Sequence, residues 1–62
     1  MSVLALRAAT SDEECLRILE RMIVRGTGGV DLVREVHAQA VKRPRIYEEL
    51  TRIELRLLHE SR

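Results

Sequence analysis

The chain has 62 residues, 11 of them Lys or Arg and 10 Asp or Glu, for a formal net charge of +1. Acids and bases are interleaved, which excludes the strong positive imbalance favoured by phosphate-backbone binding, and a single cysteine excludes an internal disulfide. The length allows one domain, of a size that buries only about 60% of its unfolded surface.

With no Trp, no Phe and Tyr47 as the single aromatic residue, the core must come from Leu, Ile, Val and Met. Each contributes about 1.5–3 kcal/mol if fully buried, against about 1.5 kcal/mol of conformational cost per ordered residue. Oligomerisation is the expected supplement. Cys15, His37 and His59 lack metal-ligand spacing, so neither a metal nor another cofactor is expected. The lone cysteine fits a reducing setting. The apolar opening at Met1 to Leu6 is too short for a signal peptide or a bilayer span, and the expectation is a cytoplasmic protein with no membrane segment.

Residues 1–9 read as an apolar N-terminal arm: Val3, Leu4 and Leu6 among small residues, with Arg7 the only charge. Neither face of an alternating strand would be properly polar, so an arm packing its leucines onto a neighbouring helix or subunit is favoured over a pairing strand, with a helical turn also open. Residues 10–62 form a single helical domain with helices at about 11–25, 31–42 and 45–60.

Ser11 followed by Glu14 makes a Ser-x-x-Glu capping box, and Asp12, Glu13 and Glu14 put negative charge at the positive end of the helix dipole. Cys15, Leu16, Ile18, Leu19, Met22 and Ile23 then cover an arc of about 160°. So broad an arc implies two neighbours. Gly26 suits a left-handed cap, and Thr27, Gly28 and Gly29 complete a turn. No Lys-Ser/Thr follows and no βαβ unit surrounds these glycines, so a helix-to-helix turn is preferred to a phosphate loop.

The next helix starts near Val30 and Asp31 and presents Leu32, Val33, Val36 and Ala40 on one face, with His37 and Val41 at the margin. His37 reads as a boundary histidine. Pro44 then follows Lys42 and Arg43. Inside a helix it would lose one backbone bond and clash with the Ala40 carbonyl, costing about 3 kcal/mol, and it steers Arg43 out of helical geometry. The apolar stripe before it extrapolates onto Arg43, whereas a new register begins after it. A break, with Pro44 as first residue of a new helix, is favoured over a kink in one long helix.

The last helix has the cleanest period. Ile46, Leu50, Ile53 and Leu57 follow spacings of four, three and four, the seam of a paired helix, and these four are expected to form an oligomer interface. Leu55 lies opposite that seam, and Leu58 flanks it beside Tyr47. More surface is apolar than one small chain covers. Candidate partner contacts are therefore Arg43, Arg45, Tyr47, Leu50, Leu55 and Leu58.

No catalytic constellation is legible. Cys15 falls on an apolar arc without a base, and the carboxylate pairs Asp12 with Glu14 and Glu48 with Glu49 lack the apolar surroundings that raise a pKa. Two binding readings remain. One is a self-associating helical adaptor or regulatory module that contacts itself and a client protein. The other is a DNA-binding helix-turn-helix with the last helix in the major groove. Glu48 and Glu49 at the start of that helix disfavour it.

Leu16-Arg-Ile-Leu-Glu20, then Gln39, Arg43, Tyr47 and Glu49-Leu50 at fixed spacings, resemble the pattern of the phycobilisome-degradation (NblA) family. The resemblance covers about 40 residues, from Glu13 to Arg52, with a gap of about two residues at Gly28-Gly29. Glu14 stands where that family prefers an aromatic, and Pro44 where its second helix carries Glu. The resemblance implies a helical hairpin that dimerises into a four-helix bundle, a proteolysis-adaptor role, and contacts at Arg43, Tyr47 and Leu50.

Overall fold

The computed structural model describes residues 3–26 and 29–60. These form α1 (Val3–Arg7), α2 (Asp12–Arg25), α3 (Gly29–Lys42), a 3-10 turn (Pro44–Ile46) and α4 (Tyr47–Glu60). The fold is all-α, and no strand occurs among the described residues. The arm expected at 1–9 is thus a short helix over its described part; Met1 and Ser2 lie outside it. Thr27 and Gly28 of the expected turn, and the last two residues, also lie outside the described residues.

Local chemistry sets each boundary. Ser11 is extended (φ −134°, ψ 162°) and its Oγ accepts the Glu14 amide at 3.1 Å. The reciprocal half of the capping box is displaced by one residue. Glu14 Oε2 accepts instead from the Thr10 hydroxyl at 2.9 Å and the Thr10 amide at 3.4 Å. Gly26 closes α2 at φ +68°, where its amide reaches the Ile23 carbonyl at 3.1 Å. α3 begins earlier than the sequence indicates, at Gly29, whose φ of +51° suits a residue without Cβ. Asp31 consequently sits within the first turn instead of capping it.

Pro44 breaks the helix. The Arg43 amide makes the last bond of α3, to the Gln39 carbonyl at 2.9 Å, and Arg43 then leaves helical geometry at φ −123°, ψ 77°. This is the restriction a proline imposes on the residue before it. The 3-10 turn starts at Pro44 itself, where no amide is needed.

Beyond the turn α4 runs back antiparallel to α3. His37 Nδ1 lies 3.1 Å from Glu54 Oε1, and Leu32 and Leu57 line one cleft at the far end. α2 lies alongside in the direction of α4: Leu16 shares a groove with Glu49 and Ile53, while Met22 and Ile23 share the far cleft with Leu57. α1 packs against α3 and α2. The broad apolar arc of α2 is accounted for by these several neighbours.

The core comprises Leu6, Ala9, Cys15, Ile18, Leu19, Met22, Leu32, Val36, Ala40, Ile46 and Leu50, with Ile53 and Leu57 packed against it. Of the α4 seam expected as an oligomer interface, Ile46 and Leu50 are buried in the chain's own core, while Ile53 and Leu57 pack half-buried against it. A tight turn at Pro44 folds that stripe inward, and Leu50 is fully buried.

Candidate functional site

Two features of α3 stand apart from ordinary core packing. The first is an internal polar chain. Glu35, Gln39 and Arg43 are spaced by four and four, so they form a row along one side of α3. Arg43 Nε donates to Gln39 Oε1 at 2.8 Å, and Gln39 Nε2 donates to Glu35 Oε2 at 2.8 Å. The guanidinium also reaches the α1–α2 junction, where Nη1 meets Asp12 Oδ1 at 2.9 Å and Nη2 donates to the Ala9 carbonyl at 2.7 Å. Arg7 Nε closes the other end on Glu35 Oε1 at 3.1 Å.

Glu35 and Gln39 are buried, and the Arg43 side chain is only 14% exposed. No side-chain polar atom buried among the described residues lacks a partner. The row carries both charge signs and a neutral amide between them, so each buried charge meets an opposite charge or a dipole. Its task is to tie α1 and the start of α2 to α3. Cys15 sits within the same field. Burial pushes its thiol pKa up, the nearby Arg43 opposes the rise by charge and hydrogen bond, and Asp12 and Glu35 add to it. A fully buried thiol in that state behaves as a small hydrophobe.

Arg43 is therefore not available as the partner contact expected of it, and Leu50 is likewise enclosed. Of the three positions to which the family resemblance assigns contacts, Tyr47 alone is exposed. A sequence signal for the Arg43 row existed: Glu35, Gln39 and Arg43 recur at helical spacing through the arc that also holds Leu32 and Val36. Partners 31 and 34 residues away in sequence left no such trace.

The second feature is the outward face of the α3–α4 hairpin, on the side away from α2. On α3 it holds His37 and Val41, and on α4 Tyr47, Thr51, Glu54 and Leu58, with Leu55 nearby; Val30 instead borders the cleft that Met22, Ile23 and Gly26 share with Leu57, and Arg34 a groove with Val3, Leu4 and Arg7 of α1. Val30 is 68% exposed, Val41 71%, Tyr47 52%, Leu55 63% and Leu58 46%. A contact between His37 Nδ1 and Glu54 Oε1 spans the middle of the face, where the imidazole is largely exposed and the carboxylate partly buried. Because a carboxylate only accepts, Nδ1 carries the hydrogen. Of the expected partner contacts, Tyr47, Leu55 and Leu58 fall here, and exposed Arg45 stands at the turn. Val41 was not among the candidates; it belongs to the face through the hairpin's closure.

Among the described residues no group of three His, Cys, Asp or Glu side chains could hold a metal ion, and no helix is long and apolar enough to cross a membrane. Neither a family model, nor a curated protein, nor a solved structure matches the chain.

Proposed function

We propose that the chain is a self-associating helical protein-interaction module, an adaptor or regulatory subunit that binds a client and performs no chemistry of its own. The observation that carries this reading is the outward hairpin face, where Val41, Tyr47, Leu55 and Leu58 stay about half or more exposed although the chain has a closed core. Clustered exposed apolar side chains rimmed by polar ones mark interaction surfaces. The inertness of buried Cys15 agrees with a binding role.

The DNA-binding alternative draws less support. A helix-turn-helix sets its two helices at about 90–120°, whereas α3 and α4 lie side by side over their length. Exposed Glu48 and Glu49 would meet the phosphates first. The test is to identify the protein that copurifies with the tagged chain from its own host and to repeat the capture with Leu55→Lys. Loss of that protein with an unchanged thermal melt is expected. Retention by the variant overturns the reading, as does tight binding to generic duplex at low salt that collapses as salt rises.

A further inference from the structure

We propose that the groove between α2 and α4 is a second interaction surface, distinct from the outward hairpin face, and that it takes an amphipathic α-helix of a partner protein. The bound helix is acidic toward its N-terminal end, basic toward its C-terminal end, and antiparallel to α2 and α4.

Shape is the first ground. α2 and α4 run in the same direction and form the two walls of the groove. Leu16, Ile23 and Val24 line it from α2 and Ile53 from α4, with Glu20, Glu49 and Arg56 along the rim. From Leu16 to Ile23, and from Glu49 to Arg56, the walls run two helical turns, about 10 Å. Leu16, Ile23 and Ile53 are half-buried against the core, so the floor continues it, whereas Val24 is 82% exposed. A trough of this length with an apolar floor matches the i, i+4 and i+7 side chains of a helix. An extended peptide gains less there, because helix walls offer no free backbone edge for it to pair with.

Charge gives the occupant its sign and direction. Ile23 meets Leu57 in the far cleft, which puts Leu16, seven residues earlier, level with Leu50 and its neighbour Glu49. Glu20 stands about one turn further along the α2 wall. Among the described residues neither carboxylate has an ion pair or a side-chain hydrogen bond. Beyond Glu49 the α4 wall turns basic at Arg52 and Arg56, beside Ile53, and Arg56 reaches Glu60 only at 3.4 Å. The groove is therefore acidic where it begins and basic where its α4 wall ends. A helix favours acids in its first turn and bases in its last, so its C-terminal end lies at Glu49 and its N-terminal end at Arg56.

The chain has no helix of its own to spare for this groove. α2 has the charge order, with Asp12, Glu13 and Glu14 first and Arg25 last, but its apolar stripe is in the core. The free apolar side chains of α4 belong to the outward face, and seating them in the groove of the next copy repeats head to tail without closing.

The probe is a fluorescent peptide of about 15 residues, with leucines at i, i+4 and i+7, glutamates in its first turn, lysines in its last and alanines elsewhere. Anisotropy titration with the full-length chain is expected to show saturable binding that Val24→Glu, or Glu20→Lys with Glu49→Lys, weakens about tenfold. Leu55→Lys, on the other face, leaves it unchanged, and a central proline in the peptide abolishes it. At so exposed a site Val24→Glu leaves the thermal melt in place. With Arg56→Cys, mild oxidation links a cysteine at the N-terminal end of the peptide and not one at its C-terminal end; native Cys15, fully buried, does not compete. Absence of saturable binding at hundreds of micromolar, binding indifferent to Val24→Glu or to the proline, or linkage through the C-terminal end overturns the proposal. So does a wild-type chain that sediments as growing polymers dispersed by Val24→Glu, which puts a second copy in the groove. The capture test with Leu55→Lys reads the outward face separately, so either surface can fail without the other.

Discussion

One helix carries both of the molecule's unusual surfaces, and they invert the usual rule. The inner row of α3 is polar and buried: Glu35, Gln39 and Arg43. The outer row includes Val41, apolar and exposed. Residue type alone would exchange them. The inner row tolerates burial because its side chains meet partners on α3, α1 and the α1–α2 junction. The outer row stays exposed because α2 covers only one side of the hairpin. Burial here follows the supply of partners, not hydropathy.

That contrast can be broken at its strongest point. Replacing Arg43 with Ala leaves Asp12, the Ala9 carbonyl and Gln39 without their shared donor inside the fold. Loss of one member of a buried ionic network costs about 3–5 kcal/mol, as much as the whole stability of a domain at the low end of the usual range. A thermal melt should show the variant largely unfolded. Arg43→Lys, which keeps the charge and loses the planar fork, should fall between it and the wild type, whereas an equal loss in both would mean that geometry contributes everything and charge nothing.

Leu6→Ala probes the apolar side of the same tie. Leu6 is fully buried, and truncation of such a leucine costs about 2–5 kcal/mol. Hydrogen exchange should show faster amides in α2 and α3 beside the arm. If only α1 loosens, the arm is an appendage and the Arg43 row holds α2 to α3 without it.

The Cys15 thiol gives a smaller, pH-dependent effect. Its folded pKa lies above the ordinary value of 9.0 because of burial, so the folded state keeps a proton that the unfolded state releases. The contribution is complete below about pH 9 and is lost as pH rises from there through the folded value. Denaturant titrations above pH 9 should show a decline in stability that Cys15→Ala reduces.

The smallest effect belongs to the outer row. Val41→Lys places a charge at a site 71% exposed and should change monomer stability by no more than about 0.5 kcal/mol, while it weakens association. A large loss of stability in the monomer would show that Val41 is part of the fold and erase the distinction between the two rows.

Much of the local structure was legible from residues alone. Ser11 and Gly26 mark the ends of α2 because a hydroxyl acceptor and a residue free of Cβ solve the problem of unpaired backbone groups locally. Pro44 marks the break because its ring constrains its immediate predecessor. The apolar period of α4 also named its packing face correctly as a set. A stripe shows that a helix pairs and not with what; the turn at Pro44 turns Ile46 and Leu50 into the chain's own core. Val41 was passed over for the converse reason, since a face made by two helices is invisible in the period of either.

The sequence by itself thus determined the all-α class, the two ends of α2 and the break at Pro44, since each depends on interactions within a few residues. Tertiary structure alone decided that Arg43 is an internal tie and not a basic contact at the tip, and that the spare apolar surface lies on the hairpin's outward side. Both depend on which helices come together, a property of packing over 30 residues and more along the chain.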